Sequence, residues 1–207
     1  AFPRKRLYQV AGIAGVERVM PFYIGYLMWR NPQTQLSRSI FVYGINPRDP
    51  VFLMPELQSP QHQAALNRWN TTLIDRQSRP EFGTLTTGTV TEAKRRQIEI
   101  GGQFSLGTSF SADGNLIMSD RNFRRYLNPR PLDRINVGLI KLKPNADVNR
   151  TATAMRQILP PDVVVLTKQQ AIDRDRKFWI DTSSTGFIFT MGVAVSCVVG
   201  IAIVYQI

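Results

Sequence analysis

The stretch Gly186–Ile207 constrains the fold of this chain more than any other. It reads GFIFTMGVAVSCVVGIAIVYQI and carries no formal charge. A helix of about 20 apolar residues, rising about 1.5 Å per residue, crosses the roughly 30 Å hydrocarbon core of a bilayer. The alternative is the buried helix of a soluble protein, which needs protein on every face. We therefore predict a transmembrane helix at residues 186–207.

Five residues in or beside this stretch are candidates for specific roles. Gly192, Ser196 and Gly200 recur every four residues, which places three small side chains on one helical face. Such a face allows close approach of another helix, so we predict helix packing there. Phe178 and Trp179 come just before the stretch, and aromatic rings favour the boundary between water and lipid. We predict that these two residues lie at the membrane interface.

The 185 residues before the apolar stretch are enough for one medium or two small folded domains. The chain has 43% hydrophobic and 10% aromatic residues, which excludes a disordered protein. Its single cysteine, Cys197, lies in the apolar stretch, so the preceding part has no disulfide or thiolate metal site. The chain has no initiator Met, so we expect an internal part of a longer protein with further membrane helices.

Two segments near the start are rich in β-branched and aromatic residues. They cover residues 15–29 and 37–45, and Asn31 and Pro32 between them are turn formers. The pattern predicts an antiparallel pair of strands. Further on, Ser59 is followed by proline, which is typical of a helix N-cap with proline in the first turn.

The middle of the chain has short apolar or alternating runs at residues 88–91, 96–100, 104–109 and 116–118. They predict a small β-rich subdomain. Because paired glycines adopt the positive φ that tight turns need, Gly101-Gly102 predicts a hairpin turn.

The last part before the apolar stretch alternates strand and helix patterns. It predicts a strand at residues 134–143, a helix at 148–159 and a strand at 162–166. Thr167 and Gln170 have the spacing of a capping box, which predicts a helix from Lys168 that leads into the membrane as a stalk.

The segment Gly15–Trp29, the run RSIFVYGINP at Arg38–Pro47 and the stalk that leads into Ser184–Phe189 resemble permeases of the MacB and FtsX superfamily. The likeness is greatest to the DevC type, the permeases of cyanobacterial glycolipid exporters. It extends over nearly the whole chain. None of these motifs is a catalytic signature.

The resemblance implies an α+β fold with an extracytoplasmic porter-like α/β lobe, an inserted β-rich lobe and a transmembrane helix. Together with the patterns above, it divides the chain into five segments. These are the first part of the porter-like lobe (1–50), the inserted lobe (51–133), the second part of the porter-like lobe (134–167), the stalk helix (168–185) and the transmembrane helix (186–207).

The resemblance also implies a location and partners. Residues 1–185 would be periplasmic, and the span would lie in the inner (plasma) membrane. The expected partners are an ATP-binding subunit, a periplasmic adaptor (a membrane fusion protein), an outer-membrane channel, membrane lipid and a second copy of the chain. ATP would bind the separate subunit, so we expect no cofactor here. The expected role is to relay ATP-driven motion during export of a lipid or other amphiphile.

Two other functions remain open. An FtsX-like protein would instead control a cell-wall hydrolase through its outer domain. The net charge of +11 also suits a membrane-anchored binder of anionic ligands. We expect no nucleic acid partner, because no long basic helix or aromatic-basic motif is present.

The sequence does not favour an enzyme. It has no phosphate-binding loop of the type G-x-x-x-x-G-K-[ST] and no arrangement typical of a catalytic triad or metal site. The single histidine, His62, falls in the polar first turn of a predicted helix, where we expect a surface residue. We therefore expect no catalytic, cofactor-binding or metal-binding residues in this chain.

Overall fold

The computed structural model of the protein describes residues 1–109, 112–127, 133–182 and 184–206. Its strands are β1 (Phe2–Pro3), β2 (Val16–Arg30), β3 (Ser37–Ile45), β4 (Thr71–Asp75), β5 (Val90–Ala93), β6 (Arg96–Phe104), β7 (Asn115–Ser119), β8 (Arg134–Ile135) and β9 (Val137–Leu142). Its α-helices are α1 (Lys5–Gln9), α2 (Pro60–Asn67), α3 (Asp120–Leu127), α4 (Val148–Ile158), α5 (Lys168–Lys177) and α6 (Ser184–Gln206). Short 3₁₀ helices cover Pro55–Gln58 and Pro80–Phe82, and a π-helical turn covers Phe178–Thr182.

The long strand β2 connects two parts of the fold. Its first half pairs antiparallel with β9, where Val19 lies opposite Ile140. Its second half pairs antiparallel with β3, where Tyr26 lies opposite Phe41. The β-branched and aromatic residues of β2 fit a pleated, half-buried strand. Strand β2 therefore pairs with β9 through its first half and belongs to the larger β-rich part through its second half.

Six strands close into a ring. Their order is β2, β3, β7, β4, β6 and β5, and Trp29 of β2 pairs with Ala93 of β5 to complete it. The pairs β3–β7 and β4–β6 are parallel. Because β2 and β3 come from residues 1–50 and the other four from residues 51–133, the ring spans both predicted lobe segments. The lobe boundaries themselves stay a prediction.

The main core fills this ring. Trp29 is fully buried there, and its Nε1 donates a hydrogen bond to the Phe82 carbonyl oxygen at 3.1 Å. Helix α3 packs Phe123 and Tyr126 against the same core. Burial of such large aromatic side chains contributes strongly to stability. The ring is therefore a packed interior and not an open channel.

Two smaller apolar clusters attach the helices. Helix α2 packs Ala65 and Leu66 on the outside of the ring, against Leu73 and Ile117 among others. Helix α4 packs Met155 near the start of β2, in the third cluster of the fold. That cluster fixes α4, and hence the chain that follows it, at the end of the sheet where β2 begins.

Several sequence predictions are confirmed. The segments 15–29 and 37–45 form β2 and β3 as an antiparallel pair. In the turn between them, Asn31 Oδ1 accepts hydrogen bonds from the backbone N–H groups of Gln33 (2.8 Å) and Thr34 (3.0 Å). Ser59 caps α2 by accepting from the His62 N–H at 3.3 Å. The predicted helix at 148–159 is α4.

The predicted hairpin turn at Gly101-Gly102 is wrong. Both glycines lie inside β6, and the hairpin between β5 and β6 turns instead at Lys94 and Arg95. These two residues have φ values of 48° and 63°, a conformation that glycine and asparagine adopt more readily. The hairpin turn is therefore formed by two residues that disfavour positive φ, whereas the two glycines lie inside strand β6.

Close packing explains the two glycines. A Cβ added to Gly101 would lie 2.7 Å from the Cβ of Ala65 in α2 and closer still to Thr71. A Cβ on Gly102 would collide with the imidazole of His62. His62 is thus half-buried against β6, and its Nδ1 contacts the Glu56 carbonyl oxygen at 2.5 Å. The expectation of a surface histidine is wrong for that reason.

The predicted strand at residues 162–166 is also wrong, since the chain there forms a turn and a bend followed by irregular backbone, and it pairs with no strand among the described residues. Val164 and Leu166 are exposed, and Arg156 binds the carbonyl oxygen of Val165. A side chain thus satisfies a carbonyl that a neighbouring strand would otherwise bind.

Two other predicted strands are only partly as expected. The strand at 134–143 divides into β8 and β9 at Asn136, whose Oδ1 accepts from the Ile24 N–H at 2.9 Å. Of the run at 104–109, Phe104 ends β6 and Ser109 forms only an isolated bridge with Ala112. Residue 183, inside the predicted stalk segment 168–185, and residue 207, the last of the predicted span segment 186–207, lie outside the described residues.

Candidate functional site at the junction of domain and apolar helix

Helix α6 is long and apolar enough to cross a membrane. The stretch Gly186–Gln206 has 21 residues and a mean hydropathy of 2.5, and the described protein buries none of it. At about 1.5 Å per residue its length is about 31 Å, which matches the hydrocarbon core. Its exposed apolar side chains have no protein cover in the structure, as a lipid-facing helix requires.

The predicted packing residues lie along α6 with their small side chains uncovered. A Cβ added to Gly192 or to Gly200 would meet no atom within 4 Å. Ser196 Oγ donates to the Gly192 carbonyl oxygen at 2.8 Å, so this hydroxyl is satisfied within the helix. The face is therefore open, and its packing against another helix stays a prediction.

The predicted interface residues lie at an irregular turn. Phe178 and Trp179 begin the π-helical segment Phe178–Thr182, between α5 and α6. Their rings meet edge to face with centroids 5.6 Å apart. A π turn is rare, and it commonly marks a functional position in a helix. The structure places both aromatic residues where the polar stalk changes to the apolar helix.

Gly186, which the sequence analysis did not single out, is required by this turn. A Cβ at this position would lie 2.5 Å from the carbonyl oxygen of Trp179 and closer still to that of Ile180. Backbone atoms cannot move aside as cheaply as a flexible side chain, so the π turn needs glycine here. The sequence signal for this role of Gly186 was its place as a glycine at the first position of the apolar stretch.

The stalk helix α5 begins with the predicted capping box. Thr167 Oγ1 accepts from the Gln170 N–H at 3.2 Å, and Gln170 Oε1 accepts from the Thr167 N–H at 3.0 Å. This reciprocal pair satisfies two backbone donors that a helix start leaves free. None of the α5 residues is buried, so its start is the part that fixes it to the fold.

Arg156 of α4 joins the stalk to the rest of the protein. Its Nη2 donates to Gln170 Oε1 at 2.9 Å and to the Val165 carbonyl oxygen at 2.9 Å. Its Nε donates to the same carbonyl at 3.2 Å. No sequence signal indicates this contact, because it depends on how the loop between α4 and α5 folds back.

Two further contacts hold that loop. Asp162 forms an ion pair with Arg6 of α1 at 3.2 Å. Val165 packs against the cluster of Val10, Val16 and Met155. The loop is thus attached to α1, α4 and the start of β2, and the stalk leaves the domain from a fixed point.

Burial raises the pKa of several groups in the β-rich part. It raises the pKa of Tyr23, Tyr43 and Tyr126, whose rings are in the core or at its edge. Burial also raises the pKa of the Asp49 carboxyl, although the Arg18 guanidinium at 3.5 Å opposes this. The Asp49–Arg18 pair connects the loop after β3 to the first half of β2.

Comparison with known proteins gives similarity in structure but not in sequence. No protein-family model matches the chain, and no curated protein matches it. The structure is similar to the periplasmic region of MacB from Actinobacillus actinomycetemcomitans, with a TM-score of 0.58 and 11% identity over 89% of this chain and 85% of that one. It is also similar to the extracellular domain of the noncanonic ABC-type transporter YknZ from Gram-positive bacteria, with a TM-score of 0.54 and 13% identity over 76% of this chain and 82% of that one.

The predicted fold class is confirmed by this likeness. The protein has a mixed α and β fold with a large sheet, followed by an apolar C-terminal helix that is long enough for a membrane span. The chain therefore has the fold that the periplasmic region of MacB and the extracellular domain of YknZ share.

Proposed function

We propose that this chain is the extracytoplasmic domain and following membrane helix of an ABC-type exporter permease. The observation that carries the proposal is the combination of a MacB-like and YknZ-like fold with a single stalk that leads to an apolar helix. In this proposal the sheet-bearing part lies outside the inner membrane, and α6 crosses that membrane.

The proposed role of the chain is mechanical. ATP binds and is hydrolysed on a separate subunit, which moves the membrane helices. The stalk passes this motion through the Arg156 contact to the outer domain, which engages a periplasmic adaptor and, through it, an outer-membrane channel. The chain acts as one half of a homodimer, and its cargo is a lipid or another amphiphile, as for DevC-type permeases.

Two features of the structure support a mechanical role. The apolar contact of Val165 and the ion pair between Arg6 and Asp162 attach the base of the stalk to the domain, so that a displacement of the stalk reaches the sheet. Within the part of the chain that the structure describes, no group of three or more His, Cys, Asp or Glu residues could hold a metal ion.

Purification of the full-length protein from membranes with the products of its neighbouring genes tests the proposal. We expect an ATPase and an adaptor to remain bound, and we expect the adaptor to stimulate ATP hydrolysis. Recovery with a cell-wall hydrolase and no adaptor would instead favour the FtsX-like function. Recovery without any ATPase would contradict both and leave a membrane-anchored domain with a basic surface.

A further inference from the structure

An open pocket lies where the β2–β3 and β5–β6 hairpins meet. Its volume is about 620 Å³, and it lies among Met28 and Arg30 of β2, Glu92 of β5 and the turn residues Lys94 and Arg95. The Lys94 N–H donates to the Met28 carbonyl oxygen at 3.2 Å, which holds the two hairpins together. The pocket is thus formed by backbone contacts between strands and not by a single loop.

The charge of this pocket is positive. Arg30 Nη1 lies 3.0 Å from Glu92 Oε2, so the single carboxylate among the lining residues is already paired. The lining side chains Arg30, Lys94 and Arg95 against Glu92 give a formal net charge of +2. In the described parts of the chain, no carboxylate lies within 4.0 Å of the Arg95 guanidinium nitrogens. The pocket therefore suits a ligand with several negative charges.

The backbone at this turn is held in an unfavourable conformation. Lys94 and Arg95 both have positive φ, where Asn-Gly is the favoured pair for a two-residue hairpin. Residues that keep such a conformation are frequent at binding sites, where the surrounding structure compensates for the conformational free energy that positive φ costs. Here the two strained residues are the ones that bring positive charge to the pocket.

The position of the pocket indicates what kind of ligand can reach it. The stalk starts near Val16, where β2 begins, and the pocket lies near Arg30, where β2 ends. A strand of 15 residues spans roughly 50 Å at about 3.3 Å per residue. The stalk therefore leaves the domain near the opposite end of β2 from the pocket, whereas a soluble protein can approach the pocket directly.

We propose that the pocket binds an acidic segment of an extracytoplasmic protein partner, with Lys94 and Arg95 pairing with its carboxylates. This inference rests on the proposed function, since it requires the sheet-bearing part to lie outside the membrane. The partner is recognised by charge, so its binding weakens as salt screens the interaction.

Replacement of the turn by its favoured pair gives a sharp test. The variant Lys94→Asn/Arg95→Gly removes both charges and suits the positive φ at each position. The probe is a fluorescent hexaglutamate peptide, added to the full-length protein in phosphatidylcholine nanodiscs at low salt. We expect the variant to bind the peptide at least about tenfold more weakly than the wild type while its melting temperature is equal or higher.

A matched control removes two charges elsewhere. Arg124 and Lys143 are exposed residues, and Arg124→Gln/Lys143→Gln should bind the peptide within about twofold of the wild type. Equal binding by the turn variant, equal loss in the control, or no peptide binding by the wild type would overturn the proposal. So would competition by inorganic phosphate at the same charge concentration, or Lys94- and Arg95-dependent binding of phosphatidylglycerol vesicles without peptide binding.

These outcomes are separate from failure of the proposed function. Recovery of the ATPase with both wild type and turn variant, without any peptide binding, would remove only the acidic-segment site. Peptide binding by a wild-type protein that recovers no ATPase would keep the site and remove the exporter function.

Discussion

Arg156 Nη2 lies 2.9 Å from Gln170 Oε1, the same oxygen that accepts the Thr167 N–H in the capping box of the stalk helix. One guanidinium of α4 therefore stabilises the first turn of α5. Since no α5 side chain is buried, this turn determines how firmly the stalk is held.

The Arg156 contact predicts a loss of coupling in Arg156→Ala. The stalk start loses hydrogen bonds that contribute about 1 kcal/mol each, so the amides of Gln170 and Ala171 should exchange about fivefold faster for each bond lost. Adaptor-stimulated ATP hydrolysis should fall, whereas basal hydrolysis on the separate subunit should not change. Hydrogen exchange and an ATPase assay measure the two effects.

Arg150→Ala is the matched control for this prediction. Arg150 is an exposed arginine of the same helix, and only its backbone N–H takes part in the Asp147 cap. Its replacement should change neither exchange at Gln170 nor stimulation by the adaptor. If Arg156→Ala behaves like this control, the stalk is not held by the Arg156 contact.

The junction of stalk and span should be sensitive to Gly186→Ala. The new Cβ would collide with the carbonyl oxygens of Trp179 and Ile180, so the π turn must shift. We expect a lower melting temperature of the full-length protein in detergent. Gly12→Ala, where a Cβ meets nothing within 4 Å, should leave it unchanged. Equal melting temperatures for the two variants would show that the π turn does not need glycine at 186.

Close packing of α2 on β6 predicts that Gly101→Ala destabilises the protein. The added methyl group would meet Ala65 and Thr71, and overpacking of this kind costs about 1–3 kcal/mol. Gly102→Ala should cost less, because its new methyl group meets the far end of the His62 side chain, whereas the Cβ of Ala65 is fixed to the backbone of α2. Thermal unfolding measures both, and Gly12→Ala, which meets no atom within 4 Å, serves as the control. A neutral Gly101→Ala variant would contradict the close approach of α2.

The raised pKa of Asp49 predicts that the variant Asp49→Asn is more stable than the wild type, and that this stabilisation depends on pH. Burial disfavours the charged form of this carboxyl, so ionised Asp49 lowers the free energy of unfolding at pH values above its folded-state pKa. Asp49→Asn should therefore raise the melting temperature at pH 7 by about 1–3 °C, and the gain should disappear as the pH falls through the raised pKa towards the ordinary value of 3.8.

The control for Asp49 is Asp173→Asn on the exposed stalk helix, which should give no gain at pH 7. A gain in Asp49→Asn that grows on acidification would have the wrong sign. It would mean that the Arg18 pair outweighs burial.

Local patterns predicted the elements whose cause is local. The strands β2 and β3, the Ser59 cap and the Thr167–Gln170 capping box each depend on residues within a few positions of one another. The stretch at 186–207 was recognisable because length and apolar composition alone decide whether a helix can cross a membrane.

Contacts between distant segments were not predictable in the same way. The role of Gly101 depends on α2, about 35 residues earlier, and hairpin statistics favoured a glycine turn over Lys94-Arg95. Ring closure through Trp29 and Ala93 and the contact between Arg156 and Gln170 also require the folded chain. The predicted strand at 162–166 failed because a run of β-branched residues does not supply a pairing partner.

The measurement that tests the central claim most directly is a distance between the stalks of two copies in the reconstituted transporter. Ile172 of α5 is half-exposed, so a spin label on Ile172→Cys in a Cys197→Ser background reports the stalk. We predict that the distance between the two labels changes between the nucleotide-free and ATP-trapped states. An unchanged distance in a complex that hydrolyses ATP would contradict the relay of motion through the stalk, and the absence of any measurable pair would contradict the homodimer.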